Sequence, residues 1–362
     1  MMGQADTFHA VARHVYRDDP RWLGEDPQAL ARQFAALEDD PAHRAWFDTH
    51  NDQARLAVFY HPNQVIDGQP TAFFGFWEGE DDLAAHATLF RAAEQWARDQ
   101  GATRLLGPIN ISTFNAYRVR LNHFEDGPFP GEPYNPPYYP RLLDELDLKP
   151  VKHFHSWLGP MDGRAESMGR SLEPVYQSLL AEGLRFSPLD GATWLGRLDE
   201  FYRYVDQIFG NNYAYTGISE TAFRQGFGQP IASRLCPRSS VLVETADGDV
   251  AGFFLGFPDY GPLACQGNPK RKALADCTFD DLARIPGRKT LLGKTGGVHP
   301  AYRQKGLFGV MSYRMMQAGT GQYDWGGAVM VREDNPSARV GQLAYSRPDD
   351  EQHDYALYGK EL

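Results

Sequence analysis

Val298-His-Pro-Ala-Tyr-Arg-Gln-Lys-Gly-Leu-Phe-Gly309 is the stretch from which the rest of this chain can be read. An apolar strand ends at Val298 and gives way to a basic, glycine-punctuated turn. Val310, Met311, Tyr313, Arg314, Met315 and Met316 then keep a helix-compatible pattern until Gly319-Thr-Gly321 ends it. A helix that starts in such a turn leaves its first backbone N–H groups unbonded, with the positive end of the helix dipole behind them. Phosphate oxygens are natural partners for that arrangement. Arg303 and Lys305 add charge, and Gly306 lets a ligand approach the main chain closely. The turn is therefore read as a diphosphate cradle.

Outward from this turn the elements fall into a regular order. Upstream, Ser240 to Phe257 reads as two strands joined at Asp247-Gly248, and Leu291 to Val298 as the strand feeding the cradle. Downstream come a strand from Trp325 to Val331, a short helix ending near Tyr345, and a last strand, Tyr355 to Tyr358. The first half repeats the succession. A hairpin turns near Asn51-Asp52, followed by the strand Thr71–Trp77, the helix Leu83–Gln100, the strand Thr103–Ile109, the helix Tyr139–Leu146 and the strand Val151–Leu158. Equivalent elements are offset by roughly 195 to 220 residues, too far for a solenoid and right for a duplicated domain. The expected division is residues 1–165 and 166–362. At the place equivalent to the cradle, the first half reads Glu78-Gly-Glu-Asp-Asp82, an acidic helix start that complements the dipole by itself and repels a diphosphate. One cofactor site per chain follows, in the second domain.

The cradle resembles motif A of the GNAT acyltransferase superfamily, whose pattern is Arg or Gln, two residues, Gly, one residue, then Gly or Ala. Arg303 and Gly306 match it; Phe308 stands where the family has a small residue, and Gly309 follows one place late. Asn335 and Ala338 match the family's later Asn-x-x-Ala motif. Gln342 replaces the Tyr that commonly follows, and Tyr345, one turn on, is either a substitute acid or a packed aromatic. The resemblance implies an α/β fold with an α+β mixed sheet, as two tandem GNAT-like domains. It also implies an acyl-thioester donor held by Gly297, Val298, Arg303, Gln304, Lys305, Gly306, Leu307, Phe308 and Asn335.

Almost the whole chain also resembles a family of two-domain bacterial GNAT-like proteins. Asp18-Asp-Pro-Arg-Trp22, Phe73-Phe-Gly-Phe-Trp77, Gly107-Pro-Ile-Asn-Ile-Ser-Thr113 and Pro133-Tyr-Asn-Pro-Pro-Tyr-Tyr139 carry that likeness. This chain departs from it at Phe114 and over 116–122. The loop from Gly107 to Tyr138 is long and rich in Gly, Pro, Asn and aromatics, and long ordered loops tend to be functional. It is expected either to wall an acceptor pocket, through Asn110, Ser112, Tyr134 and Asn135, or to cover an interdomain seam. In Asn211-Asn-Tyr-Ala-Tyr215, similar to the family's substrate-side loop, Tyr213 and Tyr215 either line the acyl or amine channel or pack a helix edge.

The chemistry so implied is direct attack of an amine on a thioester, without a covalent acyl-enzyme. The amine, with a pKa of about 10.4 for a lysine-type group, must lose a proton. The oxyanion needs a donor, which the resemblance places near Gly297 and Val298. Leu291 to Val298 carries no carboxylate, so the base stays open among Asp259, Glu244, His299 and a water chain. The donor is acyl-CoA or an acyl-carrier-protein phosphopantetheine, the latter motivated by the bulk of Phe308, and the acceptor a primary amine of a small molecule or peptide. Aromatic residues at 13% leave room for a long acyl chain. A non-catalytic module that binds an acyl thioester or peptide is the alternative.

Other classes fit less well. A net charge of -11 argues against nucleic-acid binding. Three unpaired-looking cysteines, the lack of a signal segment and the lack of an apolar run near ~20 residues point to a soluble cytoplasmic protein without a membrane span. His153-x-His155 has no partner at ligand spacing, so no metal is expected. Gly287 to Thr295 mimics a nucleotide P-loop, but five residues rather than four separate its glycines.

Overall fold

In the computed structural model, which describes residues 2–38 and 40–362, the repeated order of elements is present in both halves. Helices α1 (Met2–Val15) and α2 (Pro27–Glu38) precede strands β1 (Arg44–His50), β2 (Ala54–Tyr60), β3 (Val65–Ile66) and β4 (Gln69–Gly79). Helix α3 (Leu83–Asp99), strands β5 (Arg104–Gly107) and β6 (Val119–Arg120), helix α4 (Tyr139–Glu145) and strand β7 (Lys149–Pro160) complete the first half. The second begins with α5 (Arg164–Ala181), β8 (Arg185–Pro188), α6 (Gly191–Gly196), α7 (Leu198–Phe209), α8 (Glu220–Phe227) and α9 (Gln229–Ala232). It continues through β9 (Val241–Glu244), β10 (Val250–Pro258), α10 (Gly261–Ala264), β11 (Thr290–Val298), α11 (Leu307–Gly319), β12 (Trp325–Arg332), α12 (Pro336–Ala344) and β13 (Glu351–Glu361). The hairpin residues act as their chemistry suggests: Asn51 and Asp52 both take positive φ, 49° and 57°, and Gly248 turns the second hairpin at 91°.

The strands form one sheet in the order β1-β2-β4-β5-β13-β7-β12-β11-β10-β9-β8, with β3 and β6 attached to β4 and β13. Two parallel pairs, β4 with β5 and β11 with β12, each enclose a crossover helix, α3 and α11. The remaining pairs are antiparallel. At the centre the halves exchange their last strands: β13 lies between β5 and β7, and β7 lies between β13 and β12. Arg164 at the start of α5 and Asp350 just before β13 fasten this exchange with an ion pair whose side chains are 1% and 5% exposed.

Side-chain alternation along β10 separates two cores. Phe254 faces α11 and packs with Leu291, Val310, Met311 and Met315. Phe253 and Leu255 face the other way, onto Trp194, Phe201 and Phe223 of α6 to α8. In the first half α3 and α4 cover Leu56, Val58, Phe74 and Leu105. No described helix is long and apolar enough to cross a membrane.

Candidate active site

The parallel ladder of β11 and β12 runs from Thr290 opposite Trp325 to Gly293 opposite Ala328, and there the strands part. On its other edge β12 pairs with β7 from Trp325 to Arg332, with an irregularity between Ala328 and Val331 and Met330 at φ 56°. The glycines around the split have no room for a side chain: a Cβ on Gly296 would come within 2.7 Å of Phe254 and 2.9 Å of Phe308, and one on Gly327 within 3.2 Å of Leu158. A cavity of about 580 Å³ opens here, walled by Leu292 to Gly296 and Gly327 to Arg332 of the parted strands. Its further walls are aromatic, with Trp194, Phe201, Phe223 and Phe227 from α6 to α8.

Above the cavity stands the turn that opens α11. Gly306 caps α11 in the left-handed conformation at φ 77°, preceded by Gln304 at 64°, and no side chain closes the helix start. Val310 is the first amide to bond back, to the carbonyl of Gly306 at 3.1 Å; among the described residues the amides of residues 304–309 donate to no protein group. The first half is the reverse, because the Asp82 carboxylate itself accepts from Ala84 and Ala85 at the start of α3. A diphosphate fits the open amides and does not fit the capped ones. Arg303 reaches the carbonyl of Gln207 at 2.7 Å, tying the turn to α7, and Lys305 pairs with Glu182 at 2.6 Å on the surface. Leu307 is buried in the core. The Phe308 ring lies on Gly296 and 5.1 Å from Phe254, so its bulk enters the cavity beside the parted strand rather than the diphosphate corner. Gly297 and Val298 pair with Phe253 and Gly252 on one edge, and the split leaves their other edge without a strand. Asn335 caps α12 by accepting from Ser337 at 3.0 Å and lines the cavity.

Of the candidate catalytic residues only Tyr345 reaches the cavity. It is buried beneath the Arg164 guanidinium, 4.2 Å from the ring centre, and its hydroxyl lies 3.8 Å from the Met316 sulfur. Burial pushes its phenol well above the ordinary value. The expectation for Asp259 needs correcting: its carboxylate turns back to accept from Gly261 at 2.8 Å and does not line the cavity. Burial, opposed by that bond, raises it to about 7. His299 is also set aside geometrically, since its Nδ1 accepts from Ala301 at 3.3 Å and its ring packs edge-on against Tyr204 outside the cavity. Glu244 is held by Arg197 at 2.5 Å.

The long loop does wall the cavity, though through Thr113 to Arg118 and Pro130-Gly131 rather than the four residues expected. Asn110 accepts from Phe76 at 2.7 Å, Ser112 from Phe114 at 3.3 Å, and Asn135 braces Arg120 from both sides of its peptide. Tyr134 donates to Asp19. These are fold-holding bonds away from the cavity. Tyr213 and Tyr215 do line it, with their hydroxyls given to Asp67 and Asp206.

Lys294 was missed by sequence reasoning. It is the one charged side chain on the strand Leu291–Val298, which is the signal that could have found it. Its Nζ donates to the carbonyl of Pro130 at 2.8 Å, and the residue lines the cavity where the strands part.

The chain has the tandem GNAT fold. Over 99% of its length it superposes, with a TM-score of 0.51 and 14% identity, on 94% of a tandem GNAT protein from the clavulanic acid biosynthesis pathway. By sequence it is similar to the bacterial ceramide synthase of Caulobacter vibrioides, 24% identical over 266 residues that cover 70% of this chain and 66% of that protein. It is similarly related to protein YghO of Escherichia coli, 25% identical over 264 residues, covering 70% and 65%. The matched region thus spans just under two thirds of each curated relative. No family model matches the chain.

Proposed function

We propose that this chain is an N-acyltransferase that moves a long acyl group from a cytoplasmic CoA or carrier-protein thioester to a primary amine by direct attack. The observation that carries the reading is the juxtaposition of two features. Unbonded amides at residues 304–309 suit a diphosphate, and beside them a parted pair of strands opens into an apolar cavity of about 580 Å³. That volume is within the roughly 300–1,000 Å³ of small-molecule sites. In this reading residues 166–362 hold the donor, and residues 1–165 supply the acceptor side through the long loop.

The donor's diphosphate rests on the amides, with Arg303 adjacent. Its thiol arm follows the free edge of β11 past Phe308, which aligns the thioester near the split, and the acyl tail lies among the aromatic side chains. Main-chain N–H groups of the free β11 edge meet the oxyanion. In this reading the Tyr345 hydroxyl, which reaches the cavity, gives a proton to the departing sulfur. Likeness to a ceramide synthase supports a long-chain amino alcohol as acceptor ahead of a peptide amine.

The test is release of CoA from palmitoyl-CoA on addition of sphinganine, with formation of the N-acyl product followed by mass spectrometry. Turnover supports the reading. Binding of palmitoyl-CoA without thiol release, for sphinganine and for a panel of other amines, would leave only a binding module.

A further inference from the structure

Lys294 occupies the vertex at which β11 and β12 separate. The parallel ladder ends one residue earlier, and the register of β11 on β10 slips between Gly293 and Thr295, so Lys294 is the extra residue of a bulge. Bulges re-aim side chains and recur beside active sites. Here the side chain crosses to the long loop and donates to Pro130, and it forms no ion pair among the described residues. Glu132, the acid whose charge acts on it, is already engaged by the Phe129 amide, His353 and the Tyr355 hydroxyl.

A lysine in this setting holds its proton weakly. Burial first, then the charges of Arg234 after α9 and Arg118 in the loop, push the Nζ down to about 8, with Glu132 opposing. From β12, Arg332 is tied to Asp334, α12 itself presents no titratable side chain to the cavity, and the Tyr345 phenol lines it just after that helix. A neutral amine has two N–H groups and one lone pair. With one N–H given to Pro130, the lone pair is free to face the cavity.

We infer that Lys294, as its neutral amine, takes the proton from the substrate ammonium that attacks the thioester. This rests on the proposed acyl transfer. The first proton passes from the substrate nitrogen to Nζ, and the freed nitrogen pair forms the C–N bond. The tetrahedral adduct then expels sulfur with the C–S electrons; the Tyr345 hydroxyl gives its proton to that thiolate and takes the second nitrogen proton in its place. Lys294 returns its proton to solvent, so an ammonium and a thioester become an amide, a thiol and one released proton. The strand Leu291–Val298 carries no carboxylate; its one charged side chain is this amine.

The experiment compares the full chain with Lys294→Met and Lys294→Arg, using palmitoyl-CoA and sphinganine from about pH 6.5 to 9.5, a range spanning the lysine titration. Wild-type kcat should rise through about pH 8. The methionine variant should bind palmitoyl-CoA within about threefold of wild type yet turn over ~10²–10⁴-fold more slowly, with that inflection gone. The arginine variant should be equally slow, since a guanidinium stays protonated. Should the methionine variant fail to fold, Lys294→Gln takes its place. Competitive acetylation of wild-type Lys294, read by mass spectrometry, should titrate near the same pH without reference to turnover.

A methionine variant that keeps the wild-type profile overturns the assignment, and so does a wild-type kcat that falls through pH 8, which would mean that the charged form acts. Wild type that binds palmitoyl-CoA but acylates no amine overturns the transferase reading as a whole. Active wild type with an unaffected Lys294→Met removes this inference alone.

Discussion

Gly306→Asp tests the cradle most directly, and Gly306→Ala is its internal control. At φ 77° either side chain meets left-handed strain of ~1–2 kcal/mol, with Asp the better tolerated of the two. A Cβ here comes 3.0 Å from Val175, a methyl that can yield by a few tenths of an ångström. Both variants should therefore stay folded, each less stable by about 1–2 kcal/mol. Their ligand affinities should differ sharply. A carboxylate about 5 Å from a bound diphosphate repels each unit of phosphate charge by ~3 kcal/mol at an effective dielectric constant near 20, and solvent at this exposed turn reduces that by about half. Donor affinity should thus drop ~10- to 100-fold in Gly306→Asp relative to Gly306→Ala. Calorimetric titration with an acyl-CoA below its critical micelle concentration reads the difference, and denaturant melts check that the two variants are equally folded. Equal affinities in the two would refute the placement of the diphosphate on these amides.

Three further outcomes follow from other parts of the molecule. Val205→Trp fills part of the aromatic wall, so turnover of palmitoyl-CoA should fall at least about tenfold relative to octanoyl-CoA, while in wild type each methylene adds up to ~0.8 kcal/mol until the chamber ends; parallel chain-length profiles would argue against the tail lying there. Asp350→Asn leaves the buried Arg164 charge without its partner and should cost ~3–5 kcal/mol in urea unfolding, with a loss under 1 kcal/mol showing that the pair does not fasten the strand exchange. Burial lifts Glu78 to about 7 against the opposing pull of Arg55 and the tyrosine bonds. Because the folded state holds this proton more tightly than the unfolded chain, its contribution is present below pH ~4.5 and lost as pH rises to ~7. Glu78→Gln should flatten the fall in melting temperature between pH 5 and 8; an unchanged slope would contradict that titration.

Much of the fold was legible because its signals are local. The hairpin turns at Asn51-Asp52 and Asp247-Gly248 require backbone angles that those residues tolerate, and the strands beside them follow. The cradle was legible for the same reason: a left-handed Gly306 and a basic turn before a helix are written within a dozen residues. The site around it was less so. Asp259 stands at a strand mouth in the sequence, yet a glycine two residues on offers its amide and turns the carboxylate back. Asn110, Ser112, Tyr134 and Asn135 lie in a loop that does reach the cavity, but their polar atoms are spent on holding the loop's own shape. The loop meets the cavity instead through residues such as Phe114, which packs on Tyr215 and Phe227, and Arg118, which lies over Phe154, contacts between segments far apart in the chain.

By itself the sequence determined the doubled order of elements, the open helix start in one half and the self-capped start in the other, since each depends on neighbours a few residues apart. The tertiary structure alone decided that the halves trade their final strands, that β11 and β12 part at Lys294, and that aromatic side chains from α6 to α8 close a cavity beneath the split. Strand pairing, bulge position and cavity shape are set by groups brought together from distant parts of the chain, as where Tyr358 meets Gly107, and which of several compatible partners meet depends on the packing of the whole sheet.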